Sequence, residues 1–381
     1  MKFFYFSLFI WCGSFTPTHP LFVRVLLDEA SQKSWKIDNT QGIRVRDGST
    51  KAEIPLKKVF SHFTVSVDRG KLYLNSCPFE RTKLWIEPLG KAPCAVDGQY
   101  YDGRLLIVRH KGQWYLLSVV ELEEYVFSVL KTESWPGWPL EAQKVLAVAS
   151  RSYVLYQLLQ AREKKLPYHI RNTNAHQTYT GLHTCPVIRQ AVQETAGMFL
   201  AYQNKPILAM FDCCCGGVIP AKTANLADFV KAPYLKRDYA CTYCQNSKVY
   251  SWTVSYTLDK VQRLVQEHHD AIVHDIKDIS IQHKDAAGLV HHVVVKTKKN
   301  SFTLSSQRLY KALKNFKSRC YSFVKKGRTI VVNGRGYGHH LGLCQWGAKT
   351  MVDQGWEHKD VLLYYYPGTY FMQVSDKDTI A

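Results

Sequence analysis

The period of the apolar residues changes once along this chain, and that change restricts the fold more than any other feature. From about Leu21 to Val120, β-branched and aromatic residues gather in short runs: Phe22–Leu27, Gly42–Val45, Phe63–Val67, Lys71–Asn75, Arg104–Arg109 and Gln113–Val120. Asp47-Gly48, Asp97-Gly98 and Asp102-Gly103 supply turns between them. From Leu140 to about Gln160 the period becomes helical, with Ala142, Val145, Ala149, Tyr153 and Tyr156 on one stripe. Pro136 and Pro139 stand where a helix start tolerates proline.

Further on, the sequence predicts a helix over Val187–Thr195 after Pro186, stopped by Gly197, then a hairpin of Met198–Tyr202 and Ile207–Phe211. A helix over Thr257–His268 follows, capped by Thr257, with strands at Ile272–Gln282 and Leu289–Thr297. A helix over Ser305–Leu313 and a strand pair ending near Val332 complete the pattern. Runs of strands alternating with helices specify an α+β protein of mixed helices and antiparallel strands, with a strand-rich N-terminal region.

The 381 residues carry 50 Lys and Arg against 31 Asp and Glu, a net charge of +19. Such an excess suits an anionic partner: nucleic acid, acidic lipid or acidic polysaccharide. The N-terminus narrows the choice. Met1–Lys2 and the apolar run Phe3–Gly13 have the form of an export signal, too short for a membrane span. Residues 1–20 are therefore expected to be a signal peptide or N-terminal anchor, which places the protein in the periplasm or cell envelope. Membrane attachment would require that segment to stay uncleaved. Phe9-Ile10-Trp11 before Cys12 is too bulky for a lipidation site. Export argues against a nucleic-acid partner.

Of eleven cysteines, Cys77, Cys94, Cys185 and Cys320 are scattered as buried thiols or disulfide partners would be. Cys213, Cys214 and Cys215 are consecutive, and Cys241 and Cys244 have C-x-x-C spacing. Glu133 lies beside Trp135 and just ahead of the proline-marked helix start. Apolar neighbours would raise its pKa, as a general acid requires, and a helix start would lower it. A capping glutamate fits the same residues. Lys144 and Arg151, seven apart, share one helix stripe, either as a solvated edge or as the lining of an anion-binding cleft.

With these residues in view, Leu122–Leu155 (LEEYVFSVLKTESWPGWPLEAQKVLAVASRSYVL) resembles the signature of the SpoIID/LytB family of peptidoglycan enzymes. Three further blocks resemble that family in order and spacing: Asn174–Gly181 (NAHQTYTG), the Cys213–Cys215 segment with Gly216-Gly217 and the later Pro233-Tyr234-Leu235, and Gly334–Ala348 closed by Tyr364-Tyr365-Tyr366-Pro367-Gly368-Thr369. The resemblance implies a SpoIID-like domain over about residues 101–370, between the strand-rich region (21–100) and a short tail (371–381).

It also implies a lytic transglycosylase. Such an enzyme cleaves the β-1,4 bond between N-acetylmuramic acid and N-acetylglucosamine in strands stripped of peptides, leaving 1,6-anhydro ends. Glu133 falls at the catalytic position. Lys144, Arg151, Gln177, Tyr179, His339, Gln345 and Gly347 fall at positions implied to bind or border substrate. A structural zinc is implied at Cys215, Cys241 and Cys244 with Asp212 or Cys213 as fourth ligand, Asp212 being preferred, and no organic cofactor is implied. A disulfide from Cys215 to Cys241 or Cys244 is the alternative. The sequence departs from the family pattern at Asp212 and Val218, commonly His, at His340, commonly Gly, and at Cys344, commonly Ser. Two other readings accompany the enzyme: a wall-binding enhancer of a cell-wall amidase, and a Cys344–His339 peptidase pair.

Overall fold

The computed structural model describes residues 20–30, 33–54, 60–267, 274–313 and 315–374. The signal expected over residues 1–20 lies outside the described residues, save its last position, as does most of the tail. Among the described residues there are seven α-helices: α1 (Leu122–Glu133), α2 (Leu140–Glu163), α3 (Pro186–Glu194), α4 (Leu258–Gln266), α5 (Ser306–Ala312), α6 (Gln345–Asp353) and α7 (His358–Tyr365). The fold is α+β, with a strand-rich N-terminal part.

An eleven-stranded sheet is built from the N-terminal third together with Ile170–Arg171, which pairs in parallel with Phe22–Ala30. Phe22–Ala30 pairs antiparallel with Gln113–Glu121, from Phe22 opposite Glu121 to Ala30 opposite Trp114. Alternate side chains of these strands point inward, so Val23, Val25, Leu116 and Val120 are buried while Arg24 and Glu29 are only partly so or exposed. The sheet runs straight through residue 100: Cys94–Val96 pairs with Gln99–Tyr101, and Arg104–His110 with Gln113–Glu121. Gln113–Glu121 then passes without a loop into α1. One core joins the sheet to α1, α2 and α7 through Tyr125, Val129, Leu130, Val145, Val148, Leu155 and Leu362.

A second core lies apart from the first and contains Tyr256, Leu258, Val261, Ile279, Val293, Leu309 and Val332. Two three-stranded antiparallel sheets and helices α4 and α5 surround it. The first sheet is Ser251–Thr257, Thr329–Arg335 and Tyr321–Lys326; the second is Ile276–Lys284, Val290–Thr297 and Ser301–Ser305. Thr257 caps α4 as expected, its hydroxyl accepting from the Lys260 N–H. Residues 251–335 carry sixteen Lys and Arg against six Asp and Glu, over half the excess positive charge of the chain.

The expected 198–211 hairpin forms differently. Met198–Tyr202 pairs with Lys205–Pro206 and with Tyr370–Gln373. Phe211–Asp212 turns away and pairs in parallel with Leu343–Cys344. That short ladder brings the cysteine triplet alongside the C-terminal glycine-rich loop.

Gly181 fastens the sheet to the helical layer. Its φ is +76°, and a Cβ there would overlap the Tyr100 carbonyl oxygen, while the next residue donates its N–H to that same oxygen at 3.1 Å. Gly181→Ala should therefore lower unfolding stability by about 3 kcal/mol, read from urea denaturation.

Candidate functional site

Glu133 is the last residue of α1, whose apolar face is sealed in the core through Tyr125, Val126, Val129 and Leu130. The sequence had suggested a position at a helix start. The reversal matters, because the negative end of the helix dipole and burial both oppose ionisation of a carboxyl. Burial raises the Glu133 pKa above the ordinary value, offset in part by hydrogen bonds from Thr178. The Thr178 N–H donates to Glu133 Oε1 at 2.8 Å. On the other side, the Gln345 amide donates to the Glu133 backbone carbonyl at 2.7 Å. Gln345 thus holds the residue from across the chain and is a positioning residue.

Extended chain around Thr178 sends alternate side chains inward. Gln177 is 1 % exposed and accepts from the Tyr125 hydroxyl at 2.9 Å. Tyr179, also 1 % exposed, stacks between Tyr101 and Tyr125 at centroid distances of 5.5 and 5.7 Å. Both had been expected to bind substrate. Both instead form the wall behind Glu133, and it is the intervening Thr178 that meets the carboxylate.

The glycine-rich loop is held by Asp212, whose carboxylate accepts the His340 N–H at 2.6 Å. A Cβ at Gly338 would overlap the Asp212 side chain. His340 sits at φ +68°, a left-handed conformation that suits the glycine of the family pattern, and its ring donates through Nδ1 to the Cys215 carbonyl at 2.9 Å. His339 turns Nδ1 onto the Leu341 N–H at 3.1 Å, and burial pushes its pKa down to about 4. It is neutral at pH 7 and engaged within its own loop.

Four buried thiols converge beside this loop. The Sγ atoms of Cys215, Cys241, Cys244 and Cys344 all lie within 4.8 Å of one another. Cys215 and Cys244 are 3.7 Å apart and every cysteine in the set is free, so neither expected disulfide is formed. Cys344 takes the fourth position that had been assigned to Asp212, because the parallel pairing sets Asp212 beside Cys344 and leaves the carboxylate to the His340 peptide. Cys344 Sγ accepts the Cys215 and Gly347 N–H groups at 3.2 and 3.4 Å. A sulfur engaged in this way has no part in a peptidase pair with His339.

This donor set can hold a metal ion. Zinc bound to sulfur at about 2.3 Å in a tetrahedron gives sulfur–sulfur edges of about 3.8 Å, close to the Cys215–Cys244 separation. Gly347, expected at the cleft, serves the thiols: a Cβ there would overlap the Tyr365 hydroxyl and approach Cys241 Sγ to 2.7 Å. The Tyr365 hydroxyl in turn lies 3.1 Å from Cys241 Sγ.

Comparison with known proteins identifies the family. The model of the stage II sporulation protein (SpoIID) family matches residues 110–202, which include Glu133 and Thr178. A model described only as a domain of unknown function matches residues 220–342, which include the second core. An uncharacterized protein of Brachyspira hyodysenteriae is 30 % identical over 274 residues, 72 % of each chain. Stage II sporulation protein D of Bacillus subtilis is 27 % identical over 275 residues, covering 68 % of this chain and 76 % of that one. This chain belongs to the SpoIID/LytB family. The amidase enhancer of Bacillus subtilis is 25 % identical over 357 residues, 81 % of this chain and 49 % of that relative.

The SpoIID stripe of Lys144 and Arg151 does not face Glu133. Arg151 is fully buried and grips Glu123 through Nε and Nη2 at 2.9 and 2.6 Å, with Nη1 donating to the Met198 carbonyl at 2.9 Å. Glu123 is ten residues before Glu133, about 15 Å away at the other end of α1. Lys144 pairs with Glu141 and Glu194, each at 2.6 Å. Both cations anchor helices, in contrast to the expected substrate contact. Arg151→Met removes the cation from Glu123, which keeps only the Gly197 N–H at 3.0 Å, and should cost about 2 kcal/mol in denaturant unfolding, whereas an exposed substrate contact would cost nothing there.

Proposed function

We propose that this protein is a peptidoglycan lytic transglycosylase, with Glu133 as its acid and then its base. The observation that carries the reading is a carboxyl whose pKa burial raises at a helix C-terminus, held by Thr178 and Gln345 at an exposed aromatic surface. Membership of the SpoIID/LytB family supports it. Protonated Glu133 would donate to the glycosidic oxygen between N-acetylmuramic acid and N-acetylglucosamine as an oxocarbenium-like state develops. The resulting carboxylate would then accept the proton of the muramic C6 hydroxyl as that oxygen closes on the anomeric carbon. The product is a 1,6-anhydro end, and the one carboxyl returns to its starting state.

Glycan strands of the cell wall, free of stem peptides, are the proposed substrate, and the exported envelope the proposed location. Zinc is the proposed occupant of the four-cysteine set. It would hold three distant chain segments together and supply no catalytic chemistry. The relative named as an amidase enhancer, together with the structural use of Lys144 and Arg151, favours a second reading. In that reading the protein binds wall glycan and stimulates a partner amidase without cleaving the strand itself.

Digestion of denuded strands, with products weighed by mass spectrometry, separates the two readings. Wild-type protein should release anhydro-muramic ends, and Glu133→Gln should lower the rate by about a thousandfold. Reducing ends would point to attack by water, and silence from the wild type with retained wall binding to the enhancer. The raised Glu133 pKa fixes a further sign. Its proton is held more tightly in the folded state, so stability attributable to this group falls as pH rises through the folded pKa. Glu133→Gln should therefore match or exceed the wild type in melting temperature at pH 7, and the difference should fade below about pH 4. Elemental analysis should find one zinc per chain, and Cys344→Ala or a strong chelator should remove it and lower the melting temperature by about 10 °C.

A further inference from the structure

Directly beyond Glu133 lies a cluster of side chains to which the mechanism gives no role. Trp135 follows Glu133 by two residues, which keeps their Cα atoms within about 7 Å. The residue is 46 % exposed. It stacks on Trp138 with centroids 6.3 Å apart and planes inclined by 24°, and Trp346 stands against both at 6.4 and 5.4 Å. The backbone that carries these rings is tied down, and the Trp138 N–H donates to the Trp135 carbonyl at 2.9 Å. Gln143 donates to the Trp135 carbonyl at 2.6 Å, and Trp346 donates its backbone N–H to the Cys213 carbonyl at 3.1 Å. Trp346 also follows Gln345, which holds the Glu133 carbonyl.

Over this floor lies one cation. Lys248 Nζ is 5.7 Å from the Trp135 centroid and 6.0 Å from that of Trp346. Lys248 is exposed, and among the described residues no carboxylate pairs with it. A half-exposed indole on an indole floor leaves part of its apolar surface to solvent beside this ammonium, and its negative π-face attracts the weakly positive C–H groups on one face of a pyranose. The ammonium beside it offers a charge to an anionic substituent on that ring.

We propose that Trp135, Trp138 and Trp346 form a saccharide-stacking subsite, and that Lys248 selects the sugar bearing a carboxylate, the lactyl group of a muramic residue. The placement deepens the glycan reading given above and rests on it. Stacking is blind to the carboxylate and accepts either amino sugar, whereas Lys248 distinguishes them. Together they fix the register of the strand against Glu133, so that the bond presented to the acid is the one next to a muramic ring.

The test is binding rather than turnover, in full-length protein carrying Glu133→Gln, titrated calorimetrically with two probes. One is chitotetraose, which is neutral. The other is a tetrasaccharide of alternating N-acetylglucosamine and N-acetylmuramic acid with free lactyl groups. Adding Trp135→Ala should weaken both by about tenfold, with Trp135→Phe restoring most of the loss. Lys248→Gln should weaken the muramic tetrasaccharide by about tenfold and chitotetraose by less than about twofold at low salt. Lys248 is exposed, so its replacement does not threaten folding.

Parent affinity for both probes in Trp135→Ala, or no binding of either by the Glu133→Gln parent, would overturn the subsite. An equal effect of Lys248→Gln on the two probes would overturn the selection by charge. The strand-cleavage assay is independent of these measurements. Cleavage by the wild type with unchanged binding in the tryptophan variant would remove the subsite and leave the lyase standing. The full binding pattern without cleavage would do the reverse.

Discussion

The parallel pairing of Phe211–Asp212 with Leu343–Cys344 is two residues long, and the organisation of the site depends on it. Through it Asp212 reaches the His340 peptide, Cys344 joins the other three thiols, and Gln345 arrives at the Glu133 carbonyl from 212 positions away in sequence. Two ladder hydrogen bonds could not hold such a junction alone, since each contributes only about 1 kcal/mol net. The buried Tyr365 and Tyr366 pack under it, with the Tyr366 hydroxyl on the Met210 carbonyl at 2.7 Å. A four-thiol cluster closes the far side. The acid is therefore shaped from two directions: α1 and the large sheet set its burial, and the C-terminal loop sets its orientation.

Much of this was legible in the sequence, and the failures share a cause. The stripe on α2 was readable because its buried face is wide and its start is marked by proline. Helix α1 was not, because Tyr125–Leu130 is apolar on nearly every side, and a short run of that kind does not separate a buried helix from a strand. Missing α1 placed Glu133 at the wrong end of a helix dipole. The motif residues Gln177 and Tyr179 were legible as important but not as buried, since an extended segment alternates its faces and sequence alone does not say which face is inward.

Arg151 and Lys144 illustrate the limit of charge as a signal. On a helix, a cation that lines a cleft and one that staples two helices have the same spacing. Only the fold reveals Glu123 and Glu194 opposite them. Cysteine spacing did better, locating three of the four clustered thiols. The fourth, Cys344, lay outside the C-x-x-C and triplet patterns, and only the strand pairing brings it in. The second core was also hidden: its strands and helices were visible one by one, but nothing local marks where one hydrophobic interior ends and another begins.

The four thiols come from residues 215, 241–244 and 344, and this scattering has a consequence for how the molecule is made. A chain that emerges N-terminus first displays Glu133 and its tryptophan neighbour early, along with the sheet that buries α1. The carbonyl of Glu133 stays without its amide partner, and the cluster stays one thiol short, until Cys344 and Gln345 have been delivered. Completion of the site is thus tied to delivery of the glycine-rich loop and the start of α6. A truncated product would carry the acid without the loop that aims it, and for a protein read as a cutter of cell-wall glycan, an unfinished copy would be a blunt one.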